Sequence, residues 1–171
     1  MKWKPQHKPP LFFILFSGLA LSLWGCDKGL APDETSVQQR LYGFRGVIYF
    51  KNWPPTDSVL DLRVVAFKNY PPPDIVNEVL QGRARFTETL QPHGADSISY
   101  TLVINPLPPG IFPYVVVGQR FGSDIMRDWR AVGIYYAEGD TTQPGSVNVL
   151  PDSILQGINI YVDFRKSLPQ P

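Results

Sequence analysis

Cysteine is nearly absent from the chain: Cys26 is the only one among 171 residues. A single thiol cannot close an internal disulfide and cannot supply a thiolate metal cluster. Histidine is almost as scarce, limited to His7 and His93, so zinc sets built from several His and Cys ligands are excluded. There is no glycine-rich phosphate loop, no EF-hand-like spacing of acids and no internal repeat. Nor is there a long run of one charge; 16 basic residues face 15 acidic ones without forming a basic stripe. Nucleic-acid binding depends on clustered Lys and Arg that neutralise phosphates, so that partner class is not expected. No cofactor is expected either.

What is present begins at the N-terminus. Lys2, Lys4 and Lys8 stand in a first decad without acids, and Leu11 to Trp24 follows as a 14-residue apolar stretch. That is the length of a signal-peptide core and shorter than the roughly 20 residues of a transmembrane helix. The stretch ends in Leu23-Trp24-Gly25-Cys26, which resembles the lipobox of bacterial lipoproteins, where a leucine, a variable residue and a small residue precede an invariant cysteine. The resemblance implies removal of residues 1–25 and multiple acylation of Cys26. The cysteine would then hold the protein to a membrane of the cell envelope, with the rest of the chain outside the cytoplasm. Asp27, directly after it, is similar to an inner-membrane retention signal of some Gram-negative bacteria, and inner and outer membrane both stay open. Loss of the leader would leave 13 basic and 15 acidic residues, a net charge of −2.

Residues 26–40 are polar with few apolar side chains, as in a tether. From Leu41 the composition shifts to aromatic and β-branched residues in short runs separated by turn clusters, the pattern of an antiparallel β-sandwich of about seven to eight strands over 41–166, followed by a tail at 167–171. Ser97–Ile104 alternates strictly, with Ile98, Tyr100, Leu102 and Ile104 on one face; Gly157–Arg165 alternates likewise, with Ile158, Ile160, Val162 and Phe164 inward and Asn159, Tyr161 and Asp163 outward. Phe112–Val117 is apolar on both faces, as a central strand would be, with Pro113 near its start. Phe44–Phe50, Leu62–Phe67, Ala84–Leu90, Arg130–Ala137 and Ser146–Leu150 complete the strand set. Asp74–Leu80 suits one short helix, capped by Asp74 and ended by Gly82, and Ser123–Trp129 reads as a polar loop or single helical turn.

Leu107-Pro108-Pro109-Gly110-Ile111-Phe112, followed by Tyr114-Val115-Val116-Val117, resembles the turn-and-strand element of transthyretin-like domains, which include carboxypeptidase regulatory-like repeats. Gly43-Phe44-Arg45-Gly46-Val47-Ile48 is similar to the first strand of that group. The resemblance implies a transthyretin-like sandwich over about residues 41–165. It brings no catalytic residues, because such sandwiches serve as stalks, adhesins and binding modules alike.

Catalytic groups do not converge in the sequence. Beyond the leader only His93 remains, with Asp96 and Ser97 nearby in one turn, whereas triads are assembled from separate loops. Asp124 with Asp128, or Glu138 with Asp140, could serve a calcium ion, but turn acids usually act as turn formers. Aromatic side chains stand out more. Trp53, Trp129 and Tyr70 lie in loops or at strand ends, where large rings either bind sugars and proteins or cover the ends of a small core. The expectation is therefore a non-enzymatic module of the cell envelope with a protein partner. The alternative is a carbohydrate-binding module using Trp53, Trp129 and Tyr70.

Overall fold

The computed structural model describes residues 41–137 and 140–170. Ten strands form there: β1 (Gly43–Lys51), β2 (Asp61–Phe67), β3 (Ala84–Phe86), β4 (Ser97–Val103), β5 (Gly110–Phe112), β6 (Tyr114–Arg120), β7 (Trp129–Ile134), β8 (Val147–Val149), β9 (Ile154–Leu155) and β10 (Ile160–Asp163). One α-helix, α1 (Ile75–Leu80), and a 3-10 turn at Thr56–Ser58 join them. The main sheet runs β3-β2-β6-β7-β10-β1-β4, with β9 added beside β1, and β5 pairs with β8 in a second small sheet. The main sheet curls until its two end strands, β3 and β4, approach each other. The fold is all-β and sandwich-like, as the alternating runs require.

Three departures from the sequence expectation have physical causes. Pro113 splits the expected strand Phe112–Val117: Phe112 pairs with β8 while Tyr114 pairs with β2, so the residue without an amide hydrogen marks the corner between sheets. The expected strand Ala84–Leu90 stops at Phe86, because the Thr87 hydroxyl accepts the Val64 amide hydrogen and interrupts the ladder. Pairing is antiparallel except along one side of β1, which takes β9 and then β10 in parallel. Between those two short strands the chain detours through Gly157 at φ +82°. The Asn159 side chain accepts the Val47 amide hydrogen at 2.9 Å, and the buried Tyr100 hydroxyl donates to the Ile158 carbonyl at 2.6 Å. Gly46 lies against this seam: a Cβ there would sit 1.9 Å from the Ile158 oxygen.

Apolar side chains bury on both faces of the β2-β6-β7 region. Inward, Val64, Val115 and Val117 join Phe44, Ile48, Leu102, Phe112 and Ile160 in the main core. Outward, Val65, Phe67, Tyr114, Val116, Ala131 and Ile134 form a second cluster, over which Ile75 and Val79 of α1 and Leu168 are packed. This double burial is why β6 is apolar throughout.

With six residues, α1 is too short to persist on helix propensity and depends on its anchors. The Asp74 carboxylate accepts the Asn77 amide hydrogen at 2.9 Å, and Gly82 at φ +68° ends the helix. Glu78 is fully buried; Arg83 donates to its carboxylate at 2.6 and 3.0 Å and Asn69 donates at 3.0 Å. The Arg83 hydrogen bond holds the Glu78 carboxyl below its ordinary pKa, against the opposing effect of desolvation. A carboxyl whose folded pKa is depressed stabilises the fold above its unfolded pKa, and this stabilisation is lost as pH falls through the folded value. Replacing Arg83 by Met should therefore cost about 1–3 kcal/mol near neutrality, since it leaves a buried carboxylate short of donors. Thermal unfolding measured from neutral pH down through the carboxylate range should show the gap between the wild type and Arg83→Met shrinking as acid protonates Glu78. A gap independent of pH would contradict this account.

Candidate functional site

The helix that covers the outer cluster does not cover all of it. Ile75 and Val79 pack on the sheet and, with Val76 and Leu80, border an open groove of about 350 Å³ over β2 and β6. The loop between β6 and β7 forms the opposite bank. Asp124 shapes this loop by accepting the Met126 amide hydrogen, and Asp128 does so by accepting that of Asp124, both at 2.8 Å. The Trp129 indole donates to the Ile125 carbonyl at 2.9 Å, which ties the end of β7 to the same loop. Both candidate calcium acids are thus engaged with loop backbone, as turn formers are.

The loop geometry holds Ile125 and Met126 out in solvent. Ile125 and Leu80, both lining the groove, are each 66% exposed, and Phe86 and Met126 add further exposed apolar surface. At one end the groove meets a charged rim in which Arg63 and Asp61 pair at 2.9 Å beside Arg120. Large apolar side chains grouped on one concavity differ from singly scattered ones, and such grouping marks contact surfaces.

The rings singled out in the sequence occupy three different settings. Trp129 lines the groove. Trp53 is half-buried among Phe50, Phe164 and His93, with ring centroids 4.6, 4.8 and 4.5 Å away, and its indole donates to the Ala95 carbonyl at 2.8 Å; it closes one end of the core. Tyr70 is 52% exposed with its ring 5.0 Å from that of Tyr114. His93 lies against Trp53, and its buried Nε2 has no hydrogen-bond partner among the described residues. Asp140 accepts from the hydroxyl and amide of Thr142, which lower its carboxyl pKa. Cys26, the leader at 1–25, the whole tether at 26–40 and Glu138 lie outside the described residues.

Protein-family models, characterised proteins and solved structures were all compared with the chain, and none matches. Among the described residues there is no group of three or more His, Cys, Asp or Glu placed to hold a metal, and no helix is long and apolar enough to cross a membrane. The groove residues Leu80, Ile125 and Met126 escape sequence reasoning almost entirely. Their one signal is the Ile125-Met126 pair, apolar side chains inside an otherwise polar loop with no strand or helix to bury them.

Proposed function

We propose that the chain is a lipid-anchored, non-enzymatic binding module of a bacterial cell envelope, built on a transthyretin-like sandwich, and that its groove receives an apolar segment of a partner protein. The groove flanked by Leu80, Ile125, Met126 and Trp129 carries the proposal. Its volume is at the small end of the ~300–1,000 Å³ typical of ligand pockets. Its lining is apolar with few hydrogen-bonding groups, which suits hydrophobic side chains better than a sugar. Its banks carry flexible exposed side chains, a methionine among them, of the kind that adapt to a protein surface. The paired Arg63 and Asp61 and the neighbouring Arg120 offer a polar rim, so the patch has the centre-and-border layout of a protein interface.

The test uses the intact lipidated protein in its native envelope, with a photo-crosslinking residue in place of Met126 or, as a control, of the exposed Asp57. The Met126 position should give one discrete crosslinked species that the Asp57 position does not give. Leu80→Glu and Ile125→Glu, both at solvent-exposed positions, should abolish it while leaving the thermal unfolding midpoint unchanged. Equal crosslinking from both positions, or crosslinking indifferent to the Glu variants, would remove the groove from consideration.

A further inference from the structure

A second exposed surface lies on the outer face of β1, β4 and β10, and its chemistry differs from that of the groove. Tyr49 of β1 and Tyr161 of β10 are register partners on neighbouring strands. Their rings stack with centroids 5.1 Å apart and planes 18° from parallel. Tyr161 is nonetheless 71% exposed and Tyr49 39%. With Tyr49 against one side of the Tyr161 ring, that exposure belongs to the other side and the edge, which border a trough of about 820 Å³. The brace fixes the ring before any ligand arrives, so little side-chain freedom is left to lose on binding.

Polar side chains continue from this platform. Asn159 borders both the trough and an adjoining concavity of about 440 Å³ that contains Arg45, Ser99, Thr101 and Gln156. The register explains the alignment: Tyr49, Val47 and Arg45 stand opposite Ser97, Ser99 and Thr101 on the outward face of the β1–β4 pair. The Asn159 carboxamide oxygen is committed to the Val47 amide, which turns its NH2 away to serve as a donor. The trough around the platform is bordered by Lys51, Asp163 and Lys166 and floored by apolar side chains such as Val132 and Ile134. The adjoining concavity supplies neutral donors and acceptors beside Arg45.

We propose that this face, with Tyr161 as its platform, binds a saccharide chain. A pyranose ring presents partly positive C–H groups on one side, which are attracted to the negative face of an aromatic ring. It presents hydroxyls around its edge, which match amide and hydroxyl side chains. A nucleic acid would require a basic track, and an apolar protein segment would leave Asn159, Ser99, Thr101 and Gln156 unpaired. The extended shape, from the trough across Asn159 to Arg45, suits an oligosaccharide of several units over a single sugar. This inference does not depend on the groove, which lies over β2 and β6.

The full-length lipidated protein in detergent micelles is titrated with cello-, chito- and malto-oligosaccharides and with soluble fragments of bacterial cell-wall glycan, and tyrosine fluorescence and calorimetry follow binding. At least one of these probes should bind. Tyr161→Ala should weaken it about ten-fold or more, whereas Tyr161→Phe, which keeps the ring, should stay within about three-fold of wild type. Ile125→Glu, on the groove, should leave saccharide binding unchanged. Tyr161 and Ile125 are both on the surface, so all three variants should fold, with unfolding midpoints within a few degrees of the wild type. Tyr161→Ala should show at most a small drop, from the lost stack on Tyr49. No binding of any probe at millimolar concentration, or equal binding by wild type and Tyr161→Ala, overturns the proposal. Loss of saccharide binding in Ile125→Glu would place the sugar in the groove and overturn it equally. The crosslinking experiment on Met126 can succeed or fail independently of all these outcomes.

Discussion

A Cys26→Ser chain is expected to keep its leader and to incorporate no lipid. Metabolic labelling with a radioactive or clickable fatty acid should give a strong band for the wild type and none for the variant. Mass spectrometry of the variant should recover peptides from residues 1–25 that the wild type has lost. The reason is chemical. Acylation of the lipoprotein type starts from a thiol, a serine hydroxyl is a far weaker nucleophile, and no other cysteine exists in the chain to take its place. In fractionation, the variant should be held at the cytoplasmic membrane by its uncleaved apolar segment. The wild type should be released only by detergent, because several acyl chains on one residue anchor durably where one would not. Normal processing of the Cys26→Ser chain would show that the Leu23-Trp24-Gly25-Cys26 resemblance is accidental and would remove the anchor from the proposed function.

The fold was legible wherever burial on one face imposed a period of two. The alternation of Ser97–Ile104 has its apolar members buried, and that of Gly157–Arg165 puts Tyr161 outward, where it is found. The short helix after the proline run was legible from Asp74 and Gly82, which act locally. What stayed hidden depends on partners distant in sequence. The two-residue β9 exists only because Gly43 and Phe44 offer it an edge, and neither its length nor its composition announces a strand. The parallel pairing of β1 with β10 has no local signature, yet it is what sets Tyr49 beside Tyr161. Tyr161 could be assigned to a face from sequence; that it forms a stacked pair with Tyr49 required the register. Of the rings chosen from sequence, Trp53 shows the limit most plainly. It follows a strand in a proline-containing loop, where exposure is a fair guess, but its indole finds the Ala95 carbonyl and its ring closes over Phe50 and Phe164.

Alkaline titration should expose how the core is held. Tyr114 is buried beneath Phe67 and Tyr70, and desolvation pushes its phenol up to about 12; burial raises that of Tyr100 further, as its hydroxyl donates to the Ile158 carbonyl at the seam beside Gly46. An unfolded tyrosine ionises near pH 10. Above that pH the unfolded chain releases protons that the folded chain retains at these two positions, so stability must fall as pH rises. The slope is about 1.4 kcal/mol per pH unit for each phenol kept un-ionised, which amounts to roughly 2–3 kcal/mol from Tyr114 alone by pH 12. Urea midpoints should therefore change little between neutrality and about pH 9.5 and drop steeply above pH 10, and part of the tyrosinate absorbance should appear only together with unfolding. Tyr100→Phe separates the two contributions. It should lower stability at neutral pH by about 1–3 kcal/mol, because the Ile158 carbonyl loses its buried donor, yet it should make the alkaline decline shallower, since one of the two retained protons is gone. A variant whose decline above pH 10 is as steep as that of the wild type would mean that Tyr100 is not held un-ionised in the core.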